Sequence, residues 1–388
     1  MARNLPGNLL SKRNTLLAFL IVVAIVPSGV VAWDYLRTFF APKVIYATDP
    51  NPLDVVAGDI NSDGHLDLIT ANREGRSLSV FLGNGSGSLT PIEAVPTQLG
   101  ATSLALADLN HDGILDVVVS VCNYGCDRNS IKIFRGLGDG RFVEHNSIAV
   151  TGVPYNIAIA DFDNDGWLDI AASDAVQHRL MVLRNIAGSG SFEEISLPTG
   201  ERPIAFAIGD VNQDGYTDLV SANQWGRSCT VYLSFGGGVF SEGIEIPLGE
   251  LPYAIALAKI DQDNVLDLLV AHSTEPGKIA VYRGLGDGNF SLQQEIEVSD
   301  RLVYIYAADF NRDDWIDVLV TRDKQKFASL FLNNGNGALD SRELEIAAEN
   351  RIYSLVVTNL NRDRYPDLVT VDWEQDTLSV ALGNEPEG

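Results

Sequence analysis

Apolar and polar positions along this chain alternate in short runs, with no long helical stripe. A typical unit opens with a run rich in small residues, such as Ile204-Ala205-Phe206-Ala207-Ile208-Gly209. A polar loop leads from it into a β-branched stretch, for example Leu115-Asp116-Val117-Val118-Val119. A third apolar run, as in Ile131-Lys132-Ile133-Phe134, is followed by a Gly-x-Gly-x-Phe turn (Gly138 to Phe142, Gly286 to Phe290) that opens a fourth. Runs this short, bounded by Gly, Asn and Asp, predict β-strands. Four of them per unit, with turn signals between, is the pattern of a propeller blade.

The polar loop between the first and second runs is a repeated nonapeptide, Asp-x-Asx-x-Asp-Gly-x-x-Asp. It reads DINSDGHLD at Asp59–Asp67, DLNHDGILD at Asp108–Asp116, DFDNDGWLD at Asp161–Asp169 and DVNQDGYTD at Asp210–Asp218. Looser copies start at Lys259 (KIDQDNVLD), Asp309 (DFNRDDWID) and Asn359 (NLNRDRYPD). The seven starts are 49, 53, 49, 49, 50 and 50 residues apart, so the chain is an array of seven like units.

The ends of the array complete each other. The seventh unit has runs near Leu368–Val371 and Leu378–Leu382 but no fourth run before Gly388. Phe40 precedes Pro52 by 12 residues, as Phe142 precedes Pro154 and Phe240 precedes Pro252. Residues 40–47 are therefore expected to form the outer strand of blade seven, leaving no open sheet edge. The predicted fold is all-β: a seven-bladed β-propeller over residues 40–388, four antiparallel strands per blade, its ring closed by an N-terminal strand.

Residues 1–39 depart from this pattern. Arg3, Lys12 and Arg13 precede an apolar run from Leu16 to Val26, which Pro27, Ser28 and Gly29 interrupt before Val30, Val31 and Ala32. That order is the layout of a secretory signal peptide, with cleavage near Ala32 leaving a secreted or periplasmic protein. Residues 16–33 are also just long enough to span a bilayer as an uncleaved signal anchor, with Trp33 and Tyr35 at the interface. Both readings put the propeller outside the cytosol, and membrane contact is expected only through this segment if it is uncleaved.

The nonapeptides carry the clearest chemistry. Calcium takes about six to eight oxygen ligands and tolerates irregular geometry. Side chains at positions 1, 3, 5 and 9 converge if the backbone turns sharply, and the Gly at position 6 permits that turn; position 7 adds a backbone carbonyl. The candidate ligands are Asp59, Asn61, Asp63, His65 and Asp67 in loop one, and Asp108, Asn110, Asp112, Ile114 and Asp116 in loop two. Loop three offers Asp161, Asp163, Asp165, Trp167 and Asp169, and loop four Asp210, Asn212, Asp214, Tyr216 and Asp218. Loop six keeps Asp309, Asn311, Asp313, Trp315 and Asp317, and replaces only the Gly, by Asp314. Four or five calcium ions are expected, in a structural role. In loop five, Lys259 is expected to fill the cation's place as an internal salt bridge. Loop seven, with Asn359, Asn361, Arg364 and Pro366, is expected to bind no metal. The alternative for all of them is an Asx-turn that needs no ion.

Charge fits this picture. The net charge is −25, and the first four loops hold thirteen carboxylates, about half of it. So acidic a chain is not expected to bind nucleic acid, which demands basic patches.

These loops and the Gly-x-Gly-x-Phe turns resemble FG-GAP/VCBS repeats, the modules of the integrin α-subunit propeller and of many exported bacterial proteins. The likeness runs from about Phe40 to Gly388. It implies calcium loops on one face, between the first and second strands of each blade. It also implies ligand binding on the opposite face, and adhesion or recognition in place of chemistry.

On that opposite face, Trp225 and Arg227 fall between strands two and three of blade four, with Trp373 in a similar place in blade seven. Tyr155, Tyr253 and Tyr353 each stand six residues before their loops, so they should recur around one rim of the channel. Such residues anchor protein interfaces and suit sugars; the alternative is that the rings pack between blades. The expected partner is a protein or a glycan. The longest loop of this face, Cys122–Asn129, could be stapled by a Cys122–Cys126 disulfide in an oxidising compartment, and Cys229 reads as a buried free thiol. The alternative function is a polysaccharide-active lyase or hydrolase. No Gly-x-Ser-x-Gly elbow, HExxH or P-loop is present, and His65, His111, His145, His178 and His272 are scattered.

Overall fold

The computed structural model describes residues 40–123, 128–323, 327–335, 337–341, 343–347 and 352–384. Each 50-residue unit forms one antiparallel sheet, and seven such sheets stand in a ring. Blade one runs Pro52–Gly58, Asp67–Asn72 and Ser77–Gly83, and its outer strand is split into Leu89–Pro91 and Val95–Pro96. Those prolines lack an N–H, which only an edge strand tolerates. Blade seven takes Ser354–Thr358, Asp367–Asp372 and Thr377–Ala381 from the C-terminal end, and Val44–Ala47 from the N-terminal end. Val44 pairs with Val380 and Ala47 with Thr377, and Phe40 bridges Gly383, so the ring closes as the Phe40–Pro52 spacing predicts.

The core lies between blades. Every residue of the second strand of blade one is buried, because both of its faces meet a neighbour. Ile69 and Ala71 pack with Val117, Val119 and Val121 of blade two, whereas Leu68 packs with Val369 and Val371 of blade seven. The period-two alternation of a strand thus serves two separate cores, which is why these strands read as continuous apolar runs. The closing interface of blades one and seven is built like the other six.

The first strand of each blade lies innermost. In blades one to six it opens with a register irregularity, for instance between Pro52 and Asp54 and between Pro252 and Ala254. A bulge leaves its extra residue unpaired and re-aims it. Leu53, Thr102, Tyr155, Ile204, Tyr253 and Val303 occupy these positions and line one end of the central channel. Among the described residues no helix is long and apolar enough to cross a membrane. Residues 1–39, with the expected signal or anchor, lie outside the described residues.

Candidate functional site

The nonapeptides form one set of loops on one face of the ring, between strands one and two of each blade. In loop one, Asp59 Oδ1 accepts from the Asp63 amide at 3.1 Å and Oδ2 from the Gly64 amide at 2.8 Å. Asn61 Oδ1 accepts from Asp63 N, and Asp63 Oδ1 from His65 N. The same bonds recur around Asp108, Asp161, Asp210 and Asp309. They require a left-handed backbone at positions 4 and 6, where Ser62 has φ 59° and Gly64 φ 84°. In loop six Asp314 adopts φ 70° in place of the glycine, so the turn survives that substitution.

Position 9 has a second duty. Asp67, fully buried, accepts from Ile60 N with one oxygen and from Gly83 N with the other, at 3.0 and 2.7 Å. One carboxylate thereby ties the loop to the end of the third strand. Asp116, Asp169, Asp218, Asp267, Asp317 and Asp367 repeat the latch in the other six blades. It persists in blades five and seven, whose loops have lost other acidic positions, so it serves the fold independently of any ion.

The donors of loops one to four and six are all oxygen, the set a hard cation such as calcium takes. In loop three, oxygens of Asp161, Asp163 and Asp169 lie within 4.8 Å of one another. The protein supplies part of the balancing charge there, since Arg184 Nε donates to Asp163 Oδ2 at 2.6 Å. Blade five shows the substitution carried further, and it corrects one expectation. Lys259 is exposed and makes no ion pair among the described residues; Arg283, from the end of the third strand, reaches Asp263 at 3.0 Å and Asp261 at 3.4 Å. A lysine at position 1 points its stem out of the loop, whereas the strand-three guanidinium approaches from the side where its fork can meet two carboxylates. In loop seven, Asn359 Nδ2 donates to the Asp363 carbonyl at 2.7 Å where the aspartates of other loops accept. The double replacement Lys259→Asp with Arg283→Gln should therefore add one bound calcium per chain, read by titration calorimetry.

Burial pushes Asp169, Asp218 and Asp317 up to about 6, against backbone donors that pull them down. Without a cation these groups hold protons more tightly folded than unfolded. The stability they contribute is complete below their unfolded value and lost as pH rises through about 6. Calcium needs the ionised form, so the trend should reverse when it is present. Melting temperature is expected to fall from about pH 5 to about pH 7 in chelator, and to rise over the same range in calcium.

The other face carries the aromatic residues. Tyr155, Tyr253 and Tyr353 come together with Tyr304, Asp54, Arg73, Arg202 and Gln224 around a cavity of about 190 Å³ at the channel mouth. Trp225 is 59% exposed, and the Arg202 guanidinium lies over its ring, 4.6 Å from the centroid. Trp373 packs near Tyr353, with ring centroids 6.3 Å apart. Arg227 is exposed in the turn beside Trp225, outside the cavity. Register alone marked the tyrosines. Arg73, Arg202 and Asp54 went unmarked, because only ring closure brings blades one and four to one cavity. Cys122 is buried at the end of its strand, and the proposed partner Cys126 lies outside the described residues. Cys229 is a fully buried free thiol, pushed up to about 12 by burial.

Solved structures share this fold. The chain is 13% identical to a chain of the crystal structure of BBS1N in complex with ARL6DN, soaked with lead, with a TM-score of 0.63 over 89% of this chain and 97% of that one. A functionally unknown protein from Desulfotomaculum acetoxidans is 12% identical, with a TM-score of 0.55 over 78% of this chain and 87% of that one. A protein from Lactobacillus plantarum is 14% identical, with a TM-score of 0.55 over 85% and 88%. The FG-GAP-like repeat matches residues 59–119, 121–172, 210–270, 259–320 and 309–370, which together make up more than half of the sequence. Nonapeptide loops, blade architecture and family match agree, and the chain belongs to the FG-GAP-like repeat family as a seven-bladed β-propeller.

Proposed function

We propose that this protein is an exported, calcium-stabilised recognition module that binds a protein or glycan at the face opposite its nonapeptide loops. The observation that carries the reading is the division of labour between the two faces. Five loops on one face share a single oxygen-donor arrangement, as a repeated structural device does, and none sets an acid or base apart for chemistry. The opposite face gathers aromatic and cationic side chains around a cavity, the residue types that anchor recognition. Asp59, Asp108, Asp161, Asp210 and Asp309, with their partners at positions 3, 5, 7 and 9, would hold the ions. Bound there, calcium supplies charge neutralisation to loops that brace the blades. Export rests on residues 1–39, and adhesion or scaffolding at the cell envelope follows from the combination.

The test is retention of binding partners from cell-envelope and extracellular extracts on the immobilised full-length protein, in calcium and in chelator. Retention that needs calcium and is lost in Trp225→Ala would support the proposal. Retention indifferent to both, or turnover of a polysaccharide by the purified protein, would overturn it in favour of an enzyme on the same scaffold.

A further inference from the structure

We infer that the channel mouth is a binding site for a carboxylate-bearing sugar, such as the uronic acid residue of an acidic glycan. The inference rests on the recognition reading above and names the ligand class for that face.

Asp54 is the one carboxylate lining the cavity among the described residues, and three donors already engage it: Val55 N at 3.0 Å, Leu104 N at 3.1 Å and the Ser354 hydroxyl at 2.9 Å. These bonds join blades one, two and seven, so Asp54 is held largely by the ring itself. Donors are prominent among the other lining side chains. Tyr155, Tyr253 and Tyr353 are among the residues that line the cavity. Arg202 donates from one nitrogen to Gln224 Oε1 at 2.9 Å, which helps to fix the guanidinium. Arg73 also lines the cavity. In a chain of net charge −25, a cavity lined by two guanidiniums and by one carboxylate that three donors already hold favours an acceptor-rich, anionic ligand.

The rest of the lining specifies a sugar over a bare anion. Tyrosine rings from three blades line the cavity, within the inner strand or just before it, and aromatic rings suit the C–H surface of a pyranose. Asn156 and the tyrosine hydroxyls can both donate and accept, as ring hydroxyl groups require. Arg202 is held from both sides, by Gln224 and by the Trp225 ring beneath it, so little of its freedom remains to be lost on binding.

The experiment is calorimetric titration of the full-length, calcium-loaded protein with galacturonate and glucuronate, alongside galactose, glucose and acetate. One uronate per chain is expected, bound about tenfold or more tighter than its neutral parent, since a hydrogen-bonded charge pair is lost with the carboxylate. Arg202→Gln and Tyr253→Phe should each weaken uronate by about tenfold, at an unchanged melting temperature. Equal binding of neutral hexoses overturns the carboxylate requirement, equal binding of acetate overturns the sugar, and no binding by either uronate overturns the site. Because calcium is present throughout, these failures are separable from failure of the recognition reading, which shows as retention indifferent to calcium and to Trp225→Ala.

Discussion

Removing calcium should lower the melting temperature of this protein by on the order of 15 °C. Each site filled at about one hundred times its dissociation constant adds about 2.7 kcal/mol to the folded state. Loops one to four and six together would then add about 13 kcal/mol. At roughly 2.1 cal/mol/K of unfolding entropy per residue, a ring of this length converts that into about 15–20 °C. The physical origin is the clustering of carboxylates, clearest in loop three, where three of them stand within 4.8 Å with one guanidinium to offset them. Calorimetric melting in calcium and in chelator at matched ionic strength measures the effect. An unchanged midpoint would mean that the loops close by their Asx hydrogen bonds alone.

Asp367→Ala is the second large effect, and it should be indifferent to calcium. Asp367 is buried and accepts from Leu360 N at 2.6 Å and from Gly383 N at 2.8 Å. Alanine leaves two buried amides without partners, at about 1–3 kcal/mol each, so a loss of roughly 3 kcal/mol is expected. Asp367→Asn should fall between, since its amide keeps one acceptor. Asp218→Ala should cost a similar amount in chelator and more in calcium, because its loop also has the donors for an ion. Urea unfolding of the three variants under both conditions separates the two roles of position 9. If Asp367→Ala loses less than about 1 kcal/mol, the latch is not what holds the loop.

The sequence made the ring legible because its signals are local and repeated. Seven Asp-rich loops at near-constant spacing fix the blades, and the shared Phe40–Pro52 interval discloses which strand closes them. The latch was half visible: position 9 was marked as a ligand, but its bonds to the third strand span 16 or more residues and leave no local trace. Lys259 was misjudged for a similar reason. The cation that meets Asp261 and Asp263 is Arg283, twenty residues along and one strand over, and the parallel placing of Arg184 beside Asp163 was the available hint. At the channel mouth the register of Tyr155, Tyr253 and Tyr353 was readable. Asp54 was not, since a single aspartate in an inner strand carries no sign that it bonds across to Ser354, 300 residues away.

Counting bound ions decides whether the nonapeptide loops are cation sites. Calcium bound to the purified, previously chelated full-length protein would be measured by equilibrium dialysis at neutral pH. The account predicts five ions per chain, one each for loops one to four and six. No bound calcium at millimolar free ion would contradict it and leave the loops as ion-free turns.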